Sequence, residues 1–429
     1  MSTPLIAALV VFVLIFICRM PIAIGMISSG VMYLLLKGQD LSLVTNMIMN
    51  TYFTNYVIIA VPLFIFTANV MNSGKVTNMI YGFCNAACGR MRGALGHVNI
   101  LGSLIFAGMT GSAIADAAGL GKIEIESMTD AGYDKEFSCA ITAASATVGP
   151  IFPPSIPLVI YAMLSGTSVG ALFLGGMVPA ILLTLALMLY VAIVSKKRNY
   201  PRGEKFAISQ ILKITLTAFP ALLTPIILLV GIYTGVMTPT EAGAIAGLYA
   251  LVISIFAYKA MRWEGFKKLL LQTLQDVGTT SIMIGAASII SYVVAREQVA
   301  TDLAAWMTVF CSSKYSFLFL VNIMILLLGM FIDTSIIQLV FVPLLFPVAK
   351  YFDINMIHFG LIVTFNMMVG LSTPPFGMLL FITSGISDTP LKGVMKEILW
   401  PILVMLICLG VITYWPDFVL YLPIKFGLM

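Results

Sequence analysis

Thr147-Val148-Gly149-Pro150-Ile151-Phe152-Pro153-Pro154-Ser155 cannot run as a continuous helix. Each proline removes an amide donor, and its ring collides with the carbonyl four residues back. Gly149 adds backbone freedom. Yet the stretch lies inside an apolar run, 138–165, of the kind that enters a bilayer. The same arrangement returns 221 residues after Gly149, where Gly370-Leu371-Ser372-Thr373-Pro374-Pro375-Phe376-Gly377 interrupts the apolar run 355–385. Carbonyls freed at membrane depth are tolerated only where they line a cavity or bind a cation. Each break is therefore a candidate site.

Outward from the breaks, the preceding segments are interrupted too. Leu104-Ile105-Phe106-Ala107-Gly108-Met109-Thr110-Gly111-Ser112-Ala113-Ile114-Ala115-Asp116 sets small polar residues in the middle of the run 98–125. Gly329-Met330-Phe331-Ile332-Asp333-Thr334-Ser335 does the same within 315–350. Both read as re-entrant helical hairpins, each tip facing its own proline break. The landmarks pair in order: Val98-Asn99-Ile100 with Val321-Asn322-Ile323, Gly108-Met109 with Gly329-Met330, Val148-Gly149 with Val369-Gly370, and Ser165-Gly166 with Ser384-Gly385. The spacing between partners stays within 219 to 223 residues. Upstream the likeness is weaker, Met20-Pro21 against Thr238-Pro239. The chain is an internal repeat.

Composition says what solvent this repeat meets. Of 429 residues, 60% are hydrophobic and 10% charged, and the mean hydropathy is +1.05. Soluble proteins carry about 25% charged residues. A core of this length cannot hide so much apolar surface, so much of the outside faces lipid. Further apolar segments run over 4–18, 22–36, 50–71, 169–195, 216–236, 240–258, 277–295 and 396–415. This predicts an all-α polytopic membrane protein. Thr3 to Cys18 has neither a basic leader nor a small-residue cleavage site, and is read as the first mature helix.

Basic residues gather at Arg19, Lys75, Arg90 and Arg92, at Lys196, Lys197, Arg198, Arg202, Lys205 and Lys213, at Lys259, Arg262, Lys267 and Lys268, and at Lys392 and Lys396. If both hairpins enter and leave on one side, every cluster falls on one face. The positive-inside rule makes that face cytoplasmic and puts both termini outside. Segment 4–18 then runs inward and its partner 216–236 outward, so the repeat is inverted. Inverted repeats with broken helices mark secondary transporters, because two opposite copies can exchange an inward-open for an outward-open state.

The breaks and tips supply carbonyl and hydroxyl oxygens without a carboxylate cage, which suits a monovalent cation such as sodium. Asp333 lies deep in an apolar run and is a functional candidate for that reason. Asp116 is expected nearer the cytoplasmic end, in solvent. Arg296 has two readings: it snorkels to the outer interface, or it faces the cavity and pairs with an anionic substrate. Thr238-Pro239-Thr240-Glu241 reads as a capped helix start. Trp306, Trp400 and Trp415 are read as interface anchors, His97 and His358 as interfacial residues, and the six cysteines as small buried hydrophobes.

Other classes fit less well. A channel calls for a continuous polar stripe or an oligomeric ring rather than discrete breaks. An intramembrane protease needs paired aspartates, a Ser–His pair or a histidine-rich zinc set, and the two histidines are not in HExxH spacing. No Walker A motif points to ATP hydrolysis.

Two motifs carry a family resemblance that covers essentially the whole chain. His97-Val98-Asn99-Ile100 with Phe106-Ala107-Gly108-Met109-Thr110-Gly111-Ser112-Ala113 and Ala115-Asp116-Ala117-Ala118-Gly119, and Ala146-Thr147-Val148-Gly149-Pro150-Ile151-Phe152-Pro153-Pro154-Ser155-Ile156-Pro157, resemble the large membrane subunit of tripartite ATP-independent periplasmic (TRAP) transporters. The resemblance implies a sodium-coupled importer of organic acids in the bacterial inner membrane, with no cofactor beyond the coupling ions. It implies two partners, a small membrane subunit and a periplasmic substrate-binding protein; the chain is expected to be too short to carry the small subunit as a fusion. It further implies an elevator, divided into first scaffold and arm helices over 1–97, a first transport-domain hairpin and broken helix over 98–195, a linker with second scaffold and arm helices over 196–314, and the second hairpin, broken helix and last helix over 315–429. By motif, Ser112, Thr147, Gly149 and Pro150 would hold one sodium ion. Gly329, Asp333, Thr334, Gly370 and Thr373 would hold another. Substrate would lie between the tips near Thr110, Ser112, Asp333 and Arg296. Sialic acid is the first expectation for that substrate and a C4-dicarboxylate the second.

Overall fold

The computed structural model describes residues 2–18, 20–72 and 74–429; Arg19 of the first basic cluster lies outside them. Among the described residues the regular structure is helical, apart from an isolated bridge between Arg92 and Arg202. The first hairpin consists of an outgoing limb, Ala94–Thr110, and a returning limb, Ala113–Asp130. Gly111 turns the chain between them with φ +59°, a left-handed conformation that glycine adopts without strain. Ser112 then caps the returning limb, its Oγ accepting from the Ala115 amide at 3.3 Å. The second hairpin pairs Lys314–Gly329 with Thr334–Tyr351. There Asp333 takes the capping role, its Oδ1 accepting from the Ser335 amide at 2.8 Å.

The broken helices follow as expected. Lys135–Ser145 tightens through a 3₁₀ turn, breaks across the prolines and restarts as Ile156–Ser165. Met356–Leu371 breaks and restarts as Met378–Ser387. In each half the outgoing hairpin limb packs on the helix before the break. A buried asparagine fixes that contact twice over. Asn99 donates to Thr142 Oγ1 at 2.6 Å and accepts from Ser145 Oγ at 2.6 Å. In the second half Asn366, which corresponds to Ser145, donates to the carbonyl and side-chain oxygens of Asn322 at 2.8 and 2.9 Å. A polar side chain buried away from water must find such a partner, so the pair sets the register of hairpin against broken helix.

The helices after the breaks cross over. Met378–Ser387 packs on the returning limb of the first hairpin, and Ile156–Ser165 on that of the second. Gln338 of the second hairpin donates to the Pro157 carbonyl, and Tyr161 meets Phe346 edge-on at 5.6 Å. The four elements thus form one body.

Three expectations change. The apolar run 50–71 is not one span: Ser42–Thr54 and Tyr56–Met71 meet at 76°. The run 277–295 is the end of a longer helix, Trp263–Arg296, of 34 residues, which at 1.5 Å per residue reaches about 50 Å and overshoots a hydrocarbon layer of about 30 Å. Gly74–Cys88, Val299–Phe310 and Pro416–Lys425 are helices that apolar-run reading passed over. The first mixes polar residues into an amphipathic face, and the others are short.

The basic clusters meet in space. Lys75 donates to the Lys259 carbonyl at 3.0 Å. Arg92 reaches Asn199 at 2.7 Å. Arg198 joins Asp134 at 2.9 Å and Glu397 at 2.8 Å, bracketing the first broken helix to the segment that follows the second.

Candidate functional site

Each tip does touch its own break, backbone against backbone. A Cβ on Gly111 would stand 2.3 Å from the Pro154 carbonyl oxygen, and one on Gly149 would stand 3.4 Å from the Ser112 carbonyl carbon. In the second half a Cβ on Gly370 would stand 2.7 Å from the Gly329 Cα. Gly111 and Gly370 are the glycines that let the two main chains meet, while a Cβ at Gly149 would make near-ordinary contact. Gly111, Thr110, Thr147, Gly149 and Pro150 are buried, Ser112 half-buried; Gly329, Gly370 and Thr373 are buried, Asp333 and Thr334 half-buried.

The chemistry of these contacts follows from the proline pairs. A helical carbonyl looks for an amide three or four residues on. For Pro150 those positions are Pro153 and Pro154, and for Leu371 they are Pro374 and Pro375. Neither carbonyl can be satisfied by its own helix. The Ser155 hydroxyl donates to the Pro150 carbonyl, while no hydrogen bond among the described residues reaches that of Leu371. Gly149 and Gly370 likewise face a proline at the fourth position, though the Thr373 amide reaches the Gly370 carbonyl at 3.0 Å. Thr147 Oγ1 donates to the Ala144 carbonyl at 2.6 Å and Thr373 Oγ1 to that of Val369 at 2.6 Å. A hydroxyl whose proton is used this way presents its lone pairs outward. Among the described residues no group of three or more His, Cys, Asp or Glu converges. Neutral oxygens, with Asp333 in the second half, are what the tips and breaks offer to a cation.

The remaining sequence-predicted residues divide between those placed as expected and those placed otherwise. Arg296 ends the helix Trp263–Arg296, exposed, and no hydrogen bond or ion pair joins it to either tip. Its neighbour Glu297 instead binds Lys37 at 2.9 Å and the Tyr33 hydroxyl at 2.8 Å. Asp116 is not solvated: it is 1% exposed, because its position on the returning limb turns it into the hairpin. His97 and His358 are likewise buried rather than interfacial; His358 Nε2 lies 2.8 Å from the Ile412 carbonyl. Glu241 closes a capping box, accepting from the Thr238 amide and hydroxyl at 2.8 Å. Five of the six cysteines are buried, but Cys18 is exposed. Sequence reading missed Phe331 and Phe376, which face each other at 5.6 Å beside the second tip, both more than half exposed. Their repeat partners are Thr110 and Ser155, so the only signal was a break in the symmetry of the repeat.

Comparisons with known proteins bear on the family and the fold. The family described as "Tripartite ATP-independent periplasmic transporter, DctM component" matches residues 9–418. The sialic acid TRAP transporter large permease protein SiaM of Vibrio cholerae is 40% identical over 369 residues, 86% of each chain. The sialic acid TRAP transporter permease protein SiaT of Haemophilus influenzae is 38% identical over 86% of this chain, which spans 60% of that longer protein. The C4-dicarboxylate TRAP transporter large permease protein DctM of Pseudomonas aeruginosa is 36% identical over 87% of this chain and 88% of its own. In fold, the crystal structure of the Alcanivorax borkumensis YdaH transporter, described as having an unusual topology, superimposes with a TM-score of 0.64 at 13% identity, covering 88% of this chain and 89% of the other. With its matched hairpins and broken helices, the chain belongs to the DctM component family of tripartite ATP-independent periplasmic transporters, as a multi-pass inner-membrane permease and not an enzyme.

Proposed function

We propose that this permease imports its organic acid in symport with sodium, one ion at each tip-to-break contact. The observation that carries this reading is the pair of carbonyls, Pro150 and Leu371, that proline pairs strip of helical donors beside a hairpin tip in each half. Ser112, Thr147, Gly149 and Pro150 form the first ion site, and Gly329, Asp333, Thr334, Gly370 and Thr373 the second. Substrate lies between the tips, near Thr110, Ser112 and Asp333. The exposed Arg296 contributes there only if the helix Trp263–Arg296 shifts against the second hairpin. Sialic acid is the first candidate substrate, since SiaM and SiaT are named for it; a C4-dicarboxylate is the second, through DctM. A small membrane subunit and a periplasmic binding protein complete the system.

The crossed packing of both hairpins and both broken helices into one body supports an elevator, in which that body moves against the remaining helices. The convergence of the basic clusters supports a cytoplasmic hairpin base and periplasmic termini. The test is uptake of labelled sialic acid after reconstitution with both partners. Uptake is expected only under an inward sodium gradient, and is expected to vanish in Ser112→Ala and Asp333→Ala while the assembly stays intact. Equal uptake with potassium on both sides would overturn the coupling.

A further inference from the structure

Glu124 sits in the middle of the first hairpin's returning limb and is 1% exposed, with neither carboxyl oxygen hydrogen-bonded. It presses on the outgoing limb, where a Cβ on Gly102 would stand 2.8 Å from its Oε1 and 3.0 Å from Leu120 Cδ2. Among the described residues no ion pair involves it. Lys122 and Glu126, on the same helix, pair with each other on its exposed side at 3.9 Å. The surroundings hold other polar groups in the same condition. Both ring nitrogens of His97, on the outgoing limb, are buried without hydrogen bonds, and the Ser103 hydroxyl faces the buried Asp116 carboxyl, which lies within electrostatic range of Glu124. From Gly74–Cys88, which packs alongside, Tyr81 and Cys84 come within electrostatic range of Glu124. Lys135 and Glu136, at the start of the adjoining broken helix, point elsewhere: Lys135 is exposed and Glu136 lies against Gly393. Met378–Ser387, on the remaining side, contains no ionisable side chain.

The internal repeat supplies a control. Gly108 pairs with Gly329 and Gly149 with Gly370, both 221 residues apart, and the caps Ser112 and Asp333 keep the same spacing. Glu124 therefore corresponds to Leu345 and Asp116 to Ile337, both fully buried in the second hairpin. The same architecture folds around apolar side chains at these positions, so packing does not ask for a carboxylate at 124. A carboxylate buried with neither a cation nor a hydrogen-bond donor is avoided by taking up a proton rather than by remaining charged. Gly102 crowds one side of the carboxyl, and a proton is a ligand that needs no added space.

We propose that Glu124 is a proton-binding site built into the first hairpin. One proton joins a carboxylate oxygen of Glu124 while the limbs are closed on it, and returns to water when they part; no other bond changes. Asp116 touches Ser112 through its backbone and belongs with the tip; the inference does not depend on its titration. Nor does it depend on sodium coupling or on the identity of the substrate.

Infrared spectroscopy of the purified full-length chain tests it without transport. At neutral pH the wild type should show the carbonyl stretch of a protonated carboxyl, and Glu124→Gln should lose a component of it that Asp116→Asn retains. Glu124→Leu should lose it too and remain monodisperse, since Leu345 is its twin. Asp116→Asn should keep the Glu124 band. A carboxyl region in Glu124→Gln identical to that of the wild type, or a wild type without any such band at neutral pH, would overturn the proposal.

Discussion

Replacing Gly370 by Ala isolates the contact between the second tip and its break. Gly370 is helical with ordinary backbone angles, so the change adds no conformational penalty of the kind a positive φ brings. What it adds is a Cβ 2.7 Å from Gly329 Cα and 3.0 Å from Gly329 C. Carbon atoms pack at about 3.5–4.0 Å, so the hairpin must retreat from the break by roughly 1 Å. Both sides of the contact are main chain, and no side chain can rotate to make room. Overpacking costs about 1–3 kcal/mol, and the rigid surroundings put this case near 3 kcal/mol, or on the order of a hundredfold in the population of the closed contact. The first half provides the contrast. A Cβ on Gly149 meets nothing nearer than 3.3 Å, and Gly149 has φ −50° and ψ −58°. Gly149→Ala is therefore expected to stay within about 1 kcal/mol of wild type, the gain from a stiffer unfolded chain offsetting slight crowding. Thermal unfolding of each purified variant, with sodium and with potassium, reads both effects. Gly370→Ala should lower the transition and blunt its rise with sodium, because a ligand held by the closed contact stabilises less when that contact opens. A Gly370→Ala protein with wild-type transition and sodium response, or a Gly149→Ala protein as damaged as Gly370→Ala, would refute the reasoning.

Two further outcomes follow from the packing. Asn99→Ala removes the bonds to Thr142 and Ser145, whose hydroxyls retain backbone partners, so the loss should be about 1–2 kcal/mol in thermal or denaturant unfolding; a change below a few tenths would mean that the asparagine does not set the hairpin's register. Arg198→Ala should loosen the bracket to Asp134 and Glu397 and remove part of the acid sensitivity: Tyr200 first, then Arg198, hold the Asp134 carboxyl below its usual range, so this contribution is full above about pH 4 and fades as pH falls through the lowered folded value. Stability compared across that window in wild type and variant checks the sign, and a steeper acid loss in the variant would reverse it.

The sequence determined where the helices break, because proline chemistry is local. A Pro-Pro pair denies the carbonyls before it their donors whatever surrounds them, so both breaks and the repeat that relates them were readable from residue order. The hairpin turns were readable for the same reason, from Gly111-Ser112 and from the polar tip at Asp333. Capping of Thr238–Glu241 followed from spacing alone. Tertiary structure decided what each side chain faces. Asp116 and His97 looked like edge residues and are buried, because burial is set by which limb folds over them. Asn99 and Asn322 looked like repeat landmarks and each holds a buried hydrogen bond, because their bonding partners lie 43 or more residues away. The kink between Thr54 and Tyr56 was hidden inside one apolar run, since hydropathy carries no direction. The crossing of the post-break helices between the two halves is a long-range contact that no local signal encodes. It is that crossing which joins two separately legible breaks into one body.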